Sequence, residues 1–308
     1  MNKAIRTDLA LETRESFEED NVEIKGVEVS EIMRCDNRIK VTTVNIKTKK
    51  SAALMKKPVG RYITLEVEGL EDNTGMESLD RISAVVSEYI RELIPVKDNT
   101  KILVVGLGNR DATPDSLGPK TIDKIEITRN FEEIYGKNRW EISSIAPGVM
   151  AKTGMESVEI IKGIVEETSP DVVIAIDSLA ARSVKRLNST IQLTDTGINP
   201  GSGVGNHRHG LDSESVGCKV IAIGIPTVVD VATIIWDTME SLIEMFSINK
   251  AYMELDESEQ YEFIREIASP KMKALYVTPK DIDEDIQRMG MVLAKALNDI
   301  WKNRNETC

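Results

Sequence analysis

Residues 171–177 read DVVIAID, an apolar run between two aspartates. Two similar runs flank it along the chain, KILVVG at residues 101–106 and KVIAIGIP at residues 219–226. Short and nearly continuous apolar runs are typical of parallel strands that are buried on both faces. The three runs therefore predict the centre of an α/β sheet, and WEISSIAPG at residues 140–148 predicts a further strand of it.

Segments with a helical period separate these strands or follow them. In the clearest early case, Leu79, Ile82, Val86 and Leu93 fall on one helical face, and Pro95 follows its end. The spacing of apolar residues and the helix start signals predict helices over residues 77–93, 158–167, 231–246 and 278–301. In the last of these, Thr278 is the expected N-cap. Helices that alternate with buried strands indicate a sheet covered on both faces.

The N-terminal third has a different pattern. Residues 22–32, 39–46 and 62–67 alternate apolar and polar side chains, which is typical of antiparallel or edge strands with one wet face. The fold class predicted for the whole chain is α/β, with a mixed, largely parallel sheet that has helices on both faces. A strand-rich N-terminal subdomain is expected to precede it.

Composition excludes several classes of protein. The 308 residues include 51 acidic and 39 basic side chains, which gives a formal net charge of −12. This balance argues against direct binding to nucleic acid or to an anionic membrane. Neither an apolar signal sequence nor an apolar run of transmembrane length is present, so we expect a soluble, intracellular protein.

Two aspartates are the strongest candidates for chemistry. Asp115 follows the first buried run, within TPDSLGP, and Asp177 ends the second. Ligands of an open α/β sheet bind beyond the carboxyl ends of its parallel strands. Two carboxylates there could share one crevice, one taking a proton from water and the other polarising a carbonyl. The structural alternatives are a turn or N-cap at Asp115, and capping of the backbone at residues 179–180 by Asp177.

Other motifs leave alternatives open. Gly106 and Gly108 resemble the start of a dinucleotide fingerprint, but position 111 is aspartate rather than the third glycine. His207 and His209 could ligate a metal together with carboxylates, although H-x-H alone is weak support. Asp195 begins the tripeptide Asp-Thr-Gly, which has no second copy and is interpreted as a loop turn.

Nucleophilic catalysis has little support. No G-x-S-x-G elbow is present, and neither Cys35 nor Cys218 has a base nearby in sequence, so we interpret both cysteines as packing residues. A metal-dependent peptidase and a non-enzymatic ligand-binding α/β module remain the rival hypotheses.

Three segments carry a resemblance to a known family. GLGNRDATPDSLGP at residues 106–119, the stretch from Asp177 to Asn206, and IAIGIPTVVDVATI at residues 221–234 resemble the germination proteases of spore-forming bacteria. The opening IRTDLALE at residues 5–12 is also similar to that family. The resemblance covers most of the chain from Ile5 to about residue 237.

The resemblance implies an endopeptidase of the forespore and spore core, hence cytoplasmic, that cleaves the small, acid-soluble proteins coating spore DNA. It implies a fold similar to the hydrogenase-maturation endopeptidases, assembly as a homotetramer, synthesis as a zymogen, and no cofactor or metal. The family's proposed catalytic pair of aspartates corresponds to Asp115 and Asp177. A direct contact with nucleic acid is not implied.

The family's substrate motif also indicates a processing site. Thr7-Asp8-Leu9-Ala10-Leu11-Glu12 resembles that motif, with the cut expected between Asp8 and Leu9. Residues 1–8 would then be a propeptide, and residues 9–308 one peptidase domain. Within it we predict a strand-rich part at about 20–70, an α/β core at about 77–250 and C-terminal helices at about 255–303.

Overall fold

The structure is a computed structural model. It describes residues 7–19, 24–68, 75–95, 99–131, 140–199, 209–231, 233–235, 238 and 275–300. Among these residues, no helix is long and apolar enough to cross a membrane.

One mixed sheet organises the described chain. Its strands are β1 (Val27–Arg34), β2 (Ile39–Ile46), β3 (Gly60–Val67), β4 (Lys101–Gly106), β5 (Glu141–Ile145), β6 (Val172–Ala181), β7 (Thr190–Thr194), β8 (Lys219–Asp230) and β9 (Tyr276–Val277). The order across the sheet is β1-β2-β3-β7-β8-β6-β4-β5, and β9 pairs with β8. Strands β5, β4, β6 and β8 run parallel to their neighbours in that group, whereas β1, β2, β3 and β7 pair antiparallel.

Helices lie on both faces of this sheet. They are α1 (Ala10–Glu19), α2 (Lys49–Met55), α3 (Met76–Leu93), α4 (Leu117–Ile122), α5 (Met150–Thr153), α6 (Ser157–Thr168), α7 (Ser213–Val216) and α8 (Ile282–Asp299). The mixed α/β class is as predicted from the sequence. The N-terminal strands extend the same sheet, because residues 62–66 of β3 pair with the whole of β7.

The alternation of side chains along each strand builds two layers of core. In β6, Ile174 and Ile176 face the layer that contains α3 and α8. Val173 and Ala175 face the opposite layer, which contains residues of α6 and α7. A smaller cluster joins α1 and α2 to the antiparallel strands. Burial on both faces explains why the parallel strands read as unbroken apolar runs.

Several boundaries differ from the sequence-based predictions; the first strand, for example, spans Val27–Arg34 rather than residues 22–32. Two of these differences have an identified cause. Strand β6 does not end at Asp177 but continues to Ala181, because β8 is long enough to pair with it as far as Val229. Helix α8 has Asp281 rather than Thr278 at its N-cap position. The Thr278 hydroxyl instead donates to the carbonyl of Thr227 on β8, 2.8 Å away.

The remaining helix predictions divide between described and undescribed residues. Helices α3 and α6 match the predicted spans within one residue at each end. Residues 231, 233–235 and 238 are helical, and the rest of the helix predicted to about 246 lies outside the described residues. The same holds for residues 255–274 and 301–303 of the predicted C-terminal helices.

Candidate active site

The carboxyl end of β4, the middle of β6 and the start of α4 meet in one corner. The Leu107 N–H donates to the Ile176 carbonyl at 2.8 Å, which ties the end of β4 to the middle of β6. Gly118, in the first turn of α4, packs so tightly that an added Cβ would lie 2.4 Å from the Leu107 oxygen and 2.7 Å from the Ile176 oxygen. This glycine therefore lets the start of the helix lie directly against the backbone of Leu107 and Ile176.

Asp115 lies in the short 3₁₀ turn that enters this corner. Its Oδ2 accepts the Asn109 N–H at 2.8 Å, and its carbonyl oxygen accepts the same N–H at 2.9 Å. Gly108 has a φ of +106°, and a Cβ there would be 2.1 Å from the Asp115 carbonyl oxygen. The glycine of the Gly106–Asn109 turn thus makes room for Asp115. The N-cap position of α4 belongs to Ser116, which makes no side-chain cap bond.

Asp177 is the buried member of the candidate pair. It is 4% exposed and follows Ile176, the residue that pairs with Gly106 at the end of β4. Its Oδ1 accepts the N–H of Ser178 at 2.9 Å. The alternative prediction was that Asp177 caps the backbone at residues 179–180. At Ala180 the structure differs, because the Ala180 N–H donates to another carboxylate.

That other carboxylate belongs to Asp8. The Asp8 N–H donates to the Ala180 carbonyl at 3.0 Å, and Asp8 Oδ2 accepts the Ala180 N–H at 2.9 Å. The N-terminal segment thus binds the continuation of β6 that the sequence did not predict. Leu9 is fully buried beside Leu179, Ala181 and Ile198.

Glu12 fixes the C-terminal end of this N-terminal segment, residues 7–12. Its carboxylate is 2% exposed and accepts the N–H groups of Arg182 and Ser183 at 2.8 and 3.0 Å. Arg186 lies 3.5 Å from it and forms a two-pronged pair with Glu15. Desolvation opposes the charge of Arg186, but hydrogen bonding to Glu15 and the surrounding carboxylates raise its pKa. The segment is therefore fixed at both of its acidic residues.

The carbonyl oxygen of Asp8 is bound by two side chains. Lys57 Nζ lies 2.8 Å from it, and Gln192 Nε2 lies 3.3 Å from it. Desolvation lowers the pKa of Lys57, while the negative charges of Asp8 and Glu12 act against that shift. Sequence reasoning missed both residues. The sequence signal for Gln192 is a polar residue between the apolar Ile191 and Leu193. The strand that contains it is buried at every position.

Strand register places this group in one row with Asp177. Asp177 and Gln192 both pair with Gly224 of β8, from opposite sides. Two strand spacings put their Cα atoms at about 10 Å, with both side chains on the face opposite Ile176 and Leu193. A cavity of about 110 Å³ beside this row is lined by Asp8, Lys57, Gln192 and Gly224, among others.

The remaining sequence candidates lie elsewhere. His209 is exposed, and its Nδ1 lies 2.7 Å from Glu156, which raises its pKa through the hydrogen bond and the negative charge. His207 lies outside the described residues. Within the described part of the chain, no three His, Cys, Asp or Glu side chains are grouped as a metal site requires.

Asp195 and the cysteines have structural surroundings. Asp195 Oδ1 accepts the N–H of Arg61 at 2.8 Å, which fixes the turn after β7 to the start of β3. Cys35 and Cys218 each pack against a hydrophobic cluster. Cys35 is also disulfide-bonded, which the interpretation as a packing residue did not include, whereas Cys218 is a free thiol. Burial raises the pKa of the Cys218 thiol, which disfavours the reactive thiolate.

Similarity to known proteins provides evidence beyond the geometry of the site. The family model of the germination proteases matches residues 4–253. The chain belongs to the germination protease family. A germination protease of Caldanaerobacter subterraneus subsp. tengcongensis is 43% identical over 306 residues, covering 96% of this chain and 93% of its own length. The germination protease of Bacillus subtilis (strain 168) is 40% identical and covers 96% and 92%.

A Clostridium perfringens (strain SM101) germination protease is 41% identical, with coverage of 96% and 94%. Among solved structures, the [NiFe] hydrogenase maturation protease HycI of Thermococcus kodakarensis matches with a TM-score of 0.35 and 15% identity, covering 68% of this chain and 98% of its own. Family membership makes the protein a peptidase.

Proposed function

We propose that the protein is an endopeptidase that starts the degradation of small, acid-soluble, DNA-coating proteins when spores germinate. It is made as a zymogen in the forespore and acts in the spore core as a homotetramer. It activates itself by cleaving the bond between Asp8 and Leu9. Family membership supports the peptidase class, and the substrate motif at residues 7–12 supports the processing site.

The observation that carries the proposal is the docking of the protein's own N-terminal segment. Asp8 binds Ala180, three residues after Asp177 on the same strand. Leu9 fills an apolar pocket, and Glu12 is held by two backbone N–H groups. Each feature of the motif, an acid before the bond, a large apolar residue after it and a second acid, thus has its own binding partner.

The mechanism we propose is direct attack of water on the scissile carbonyl. Asp115 and Asp177 divide the acid and base roles, because two carboxylates in one crevice separate in proton affinity. One carboxylate takes a proton from the attacking water, and the other protonates the departing amine. The water oxygen becomes part of the new carboxyl group on Asp8, and Leu9 becomes the new N-terminus.

Intact-mass measurement of the full chain at mildly acidic pH tests the proposal. We expect conversion to a form that begins at Leu9, followed by cleavage of an added small, acid-soluble spore protein within its corresponding motif. Both reactions should continue in the presence of a chelator, since no metal takes part in the mechanism. A chain that stays intact and leaves the spore protein uncut would contradict the function. Loss of both activities on chelation would favour the metal-dependent rival instead.

A further inference from the structure

The carbonyl oxygen of Asp8 has an unusual environment for a main-chain group. Its two side-chain donors, Lys57 Nζ and Gln192 Nε2, come from different parts of the fold. A buried main-chain carbonyl needs at least one hydrogen-bond partner, which a neutral donor or an ordered water can supply. The presence of a lysine here means that the site places a cationic donor on this particular oxygen.

The backbone fixes the position of Lys57. Helix α2 ends at Met55, Lys56 takes the left-handed conformation with a φ of +50°, and the Lys57 N–H donates back to the Ala52 carbonyl at 3.2 Å. This termination turns the chain sharply out of the helix. The described hydrogen bonds of the Lys57 side chain go to the carbonyls of Asp8 and of Thr7, the latter at 3.3 Å.

Gln192 is held in the orientation that donates to the same oxygen. Its Oε1 accepts the N–H of Ala10 at 2.7 Å, so its Nε2 is the group left to face Asp8. The two bonds of one amide therefore bracket Leu9, because they bind the carbonyl oxygen before it and the N–H after it. The row that joins Gln192 through Gly224 to Asp177 places this bracket on the same face of the sheet as the buried aspartate.

We propose that Lys57 and Gln192 form the oxyanion site of the peptidase, which stabilises the negative charge that develops on the carbonyl oxygen before the cut. This inference rests on the proposed function, because it takes the bond after Asp8 as the scissile one. When water adds to the Asp8 carbonyl carbon, the π electrons of the C=O bond move to its oxygen. Lys57 Nζ and Gln192 Nε2 hold that oxyanion.

The tetrahedral intermediate then collapses. The C=O bond re-forms as the C–N bond breaks, and the bonding pair leaves with the nitrogen of Leu9, which takes a proton from the aspartate acid. Donors that strengthen their bonds as charge develops lower the barrier, whereas donors that bind ground and transition states equally do not. The two cases are separable by experiment.

The experiment compares first-order rates of self-cleavage in full-length variants. Lys57→Met keeps most of the side-chain length and removes the donor. We expect its rate to fall about 10²–10³-fold, the usual cost of losing one oxyanion donor. Lys57→Arg should recover part of that loss. Lys50→Met, the same change at an exposed position on α2, is the matched control and should cleave at the wild-type rate.

Hydrogen exchange at the Ala180 amide reports docking separately, because that N–H is bonded to Asp8. We expect Lys57→Met to keep Ala180 protected while cleavage slows. If protection is lost together with cleavage, Lys57 is only an anchor of the segment and the oxyanion site is overturned. An unchanged rate in folded Lys57→Met overturns it as well.

Gln192→Glu gives a second route if Lys57→Met fails to fold. It keeps an oxygen for the Ala10 N–H and replaces the donor to Asp8 with an acceptor. We expect at least about a tenfold slower cut with Ala180 still protected; a wild-type rate contradicts the assignment. Failure of the proposed function looks different, since the wild-type chain itself would then leave the bond after Asp8 intact.

Discussion

The two halves of the sheet contribute different things to the candidate site. In the parallel half, Asp115 lies in the turn that follows β4, and Asp177 lies within β6, next to the residue that pairs with the end of β4. In the antiparallel half, β7 supplies Gln192 from the middle of a strand, and the α2–β3 connection supplies Lys57. The parallel half thus carries both candidate aspartates, and the antiparallel half adds two side-chain donors to the carbonyl oxygen of Asp8.

This difference shows how a mixed sheet can divide a task. Parallel strands all end at one edge, so their loops converge whatever the strands contain. Antiparallel strands offer a flat face, on which an extended segment is bound by side chains pointing up from the sheet. The strand shared by the two functions is β6, which carries Asp177 and continues to Ala180, where the segment binds.

The largest expected effect comes from breaking the parallel half. Asp177→Asn and Asp115→Asn should each slow self-cleavage by about 10³-fold or more, because a carboxylate that transfers protons cannot be replaced by an amide. Intact-mass time courses measure the rate. Asp195→Asn serves as the control, since an asparagine oxygen can still accept the Arg61 N–H, and its rate should stay at the wild-type value. Full activity in Asp177→Asn would remove it from the mechanism.

An intermediate effect is expected from weakening the docking of Leu9 against the last residues of β6. Leu9→Ala removes a fully buried side chain from its contact with Leu179 and Ala181, at a cost of about 2–5 kcal/mol. If that contact is needed to dock the segment, cleavage after Asp8 should slow at least about 30-fold and the Ala180 amide should exchange faster. Leu54→Ala, at an exposed site of α2, should change neither quantity. Unaltered cleavage by Leu9→Ala would mean that docking does not limit the reaction.

The smallest effect at neutral pH should come from Tyr62, which lies on β3 in the antiparallel half of the sheet. Its hydroxyl donates to the Pro58 carbonyl at 2.9 Å and accepts from Thr196. Desolvation by burial raises the pKa of Tyr62 to about 12, against the opposing hydrogen bond from Thr196. Tyr62→Phe should cost about 1 kcal/mol in unfolding free energy near pH 7.

The alkaline behaviour of Tyr62 sharpens that test. The unfolded chain loses the phenolic proton near pH 10 and the folded chain near pH 12, so this contribution to stability is complete below pH 10 and declines up to pH 12. The decline amounts to about 3 kcal/mol for two pKa units. Urea unfolding from pH 9 to 12 should therefore show a shallower fall for Tyr62→Phe than for wild type.

The sequence predicted more of the strands and site residues of the parallel half than of the antiparallel half. KILVVG, DVVIAID and KVIAIGIP were each recognisable as buried strands, and the rule for strand ends pointed to Asp115 and Asp177. The extension of β6 past Asp177 was not foreseen, because the length of a strand depends on how far its neighbour β8 continues to pair. The same limit applies to the helix start near Thr278, where a contact with β8 replaced local capping.

The amino-acid sequence was sufficient for the α/β class, the two candidate aspartates and, through resemblance, the peptidase family and the motif at residues 7–12. Those features are local, since hydrophobic period, turn residues and motif spacing are properties of short segments. The docking of Asp8 on Ala180 and the meeting of Lys57 and Gln192 at its carbonyl oxygen emerge only from the tertiary fold. Lys57 and Gln192 are separated from Asp8 by about 50 and 180 residues, and only the register of β6, β8 and β7 brings such distant groups together.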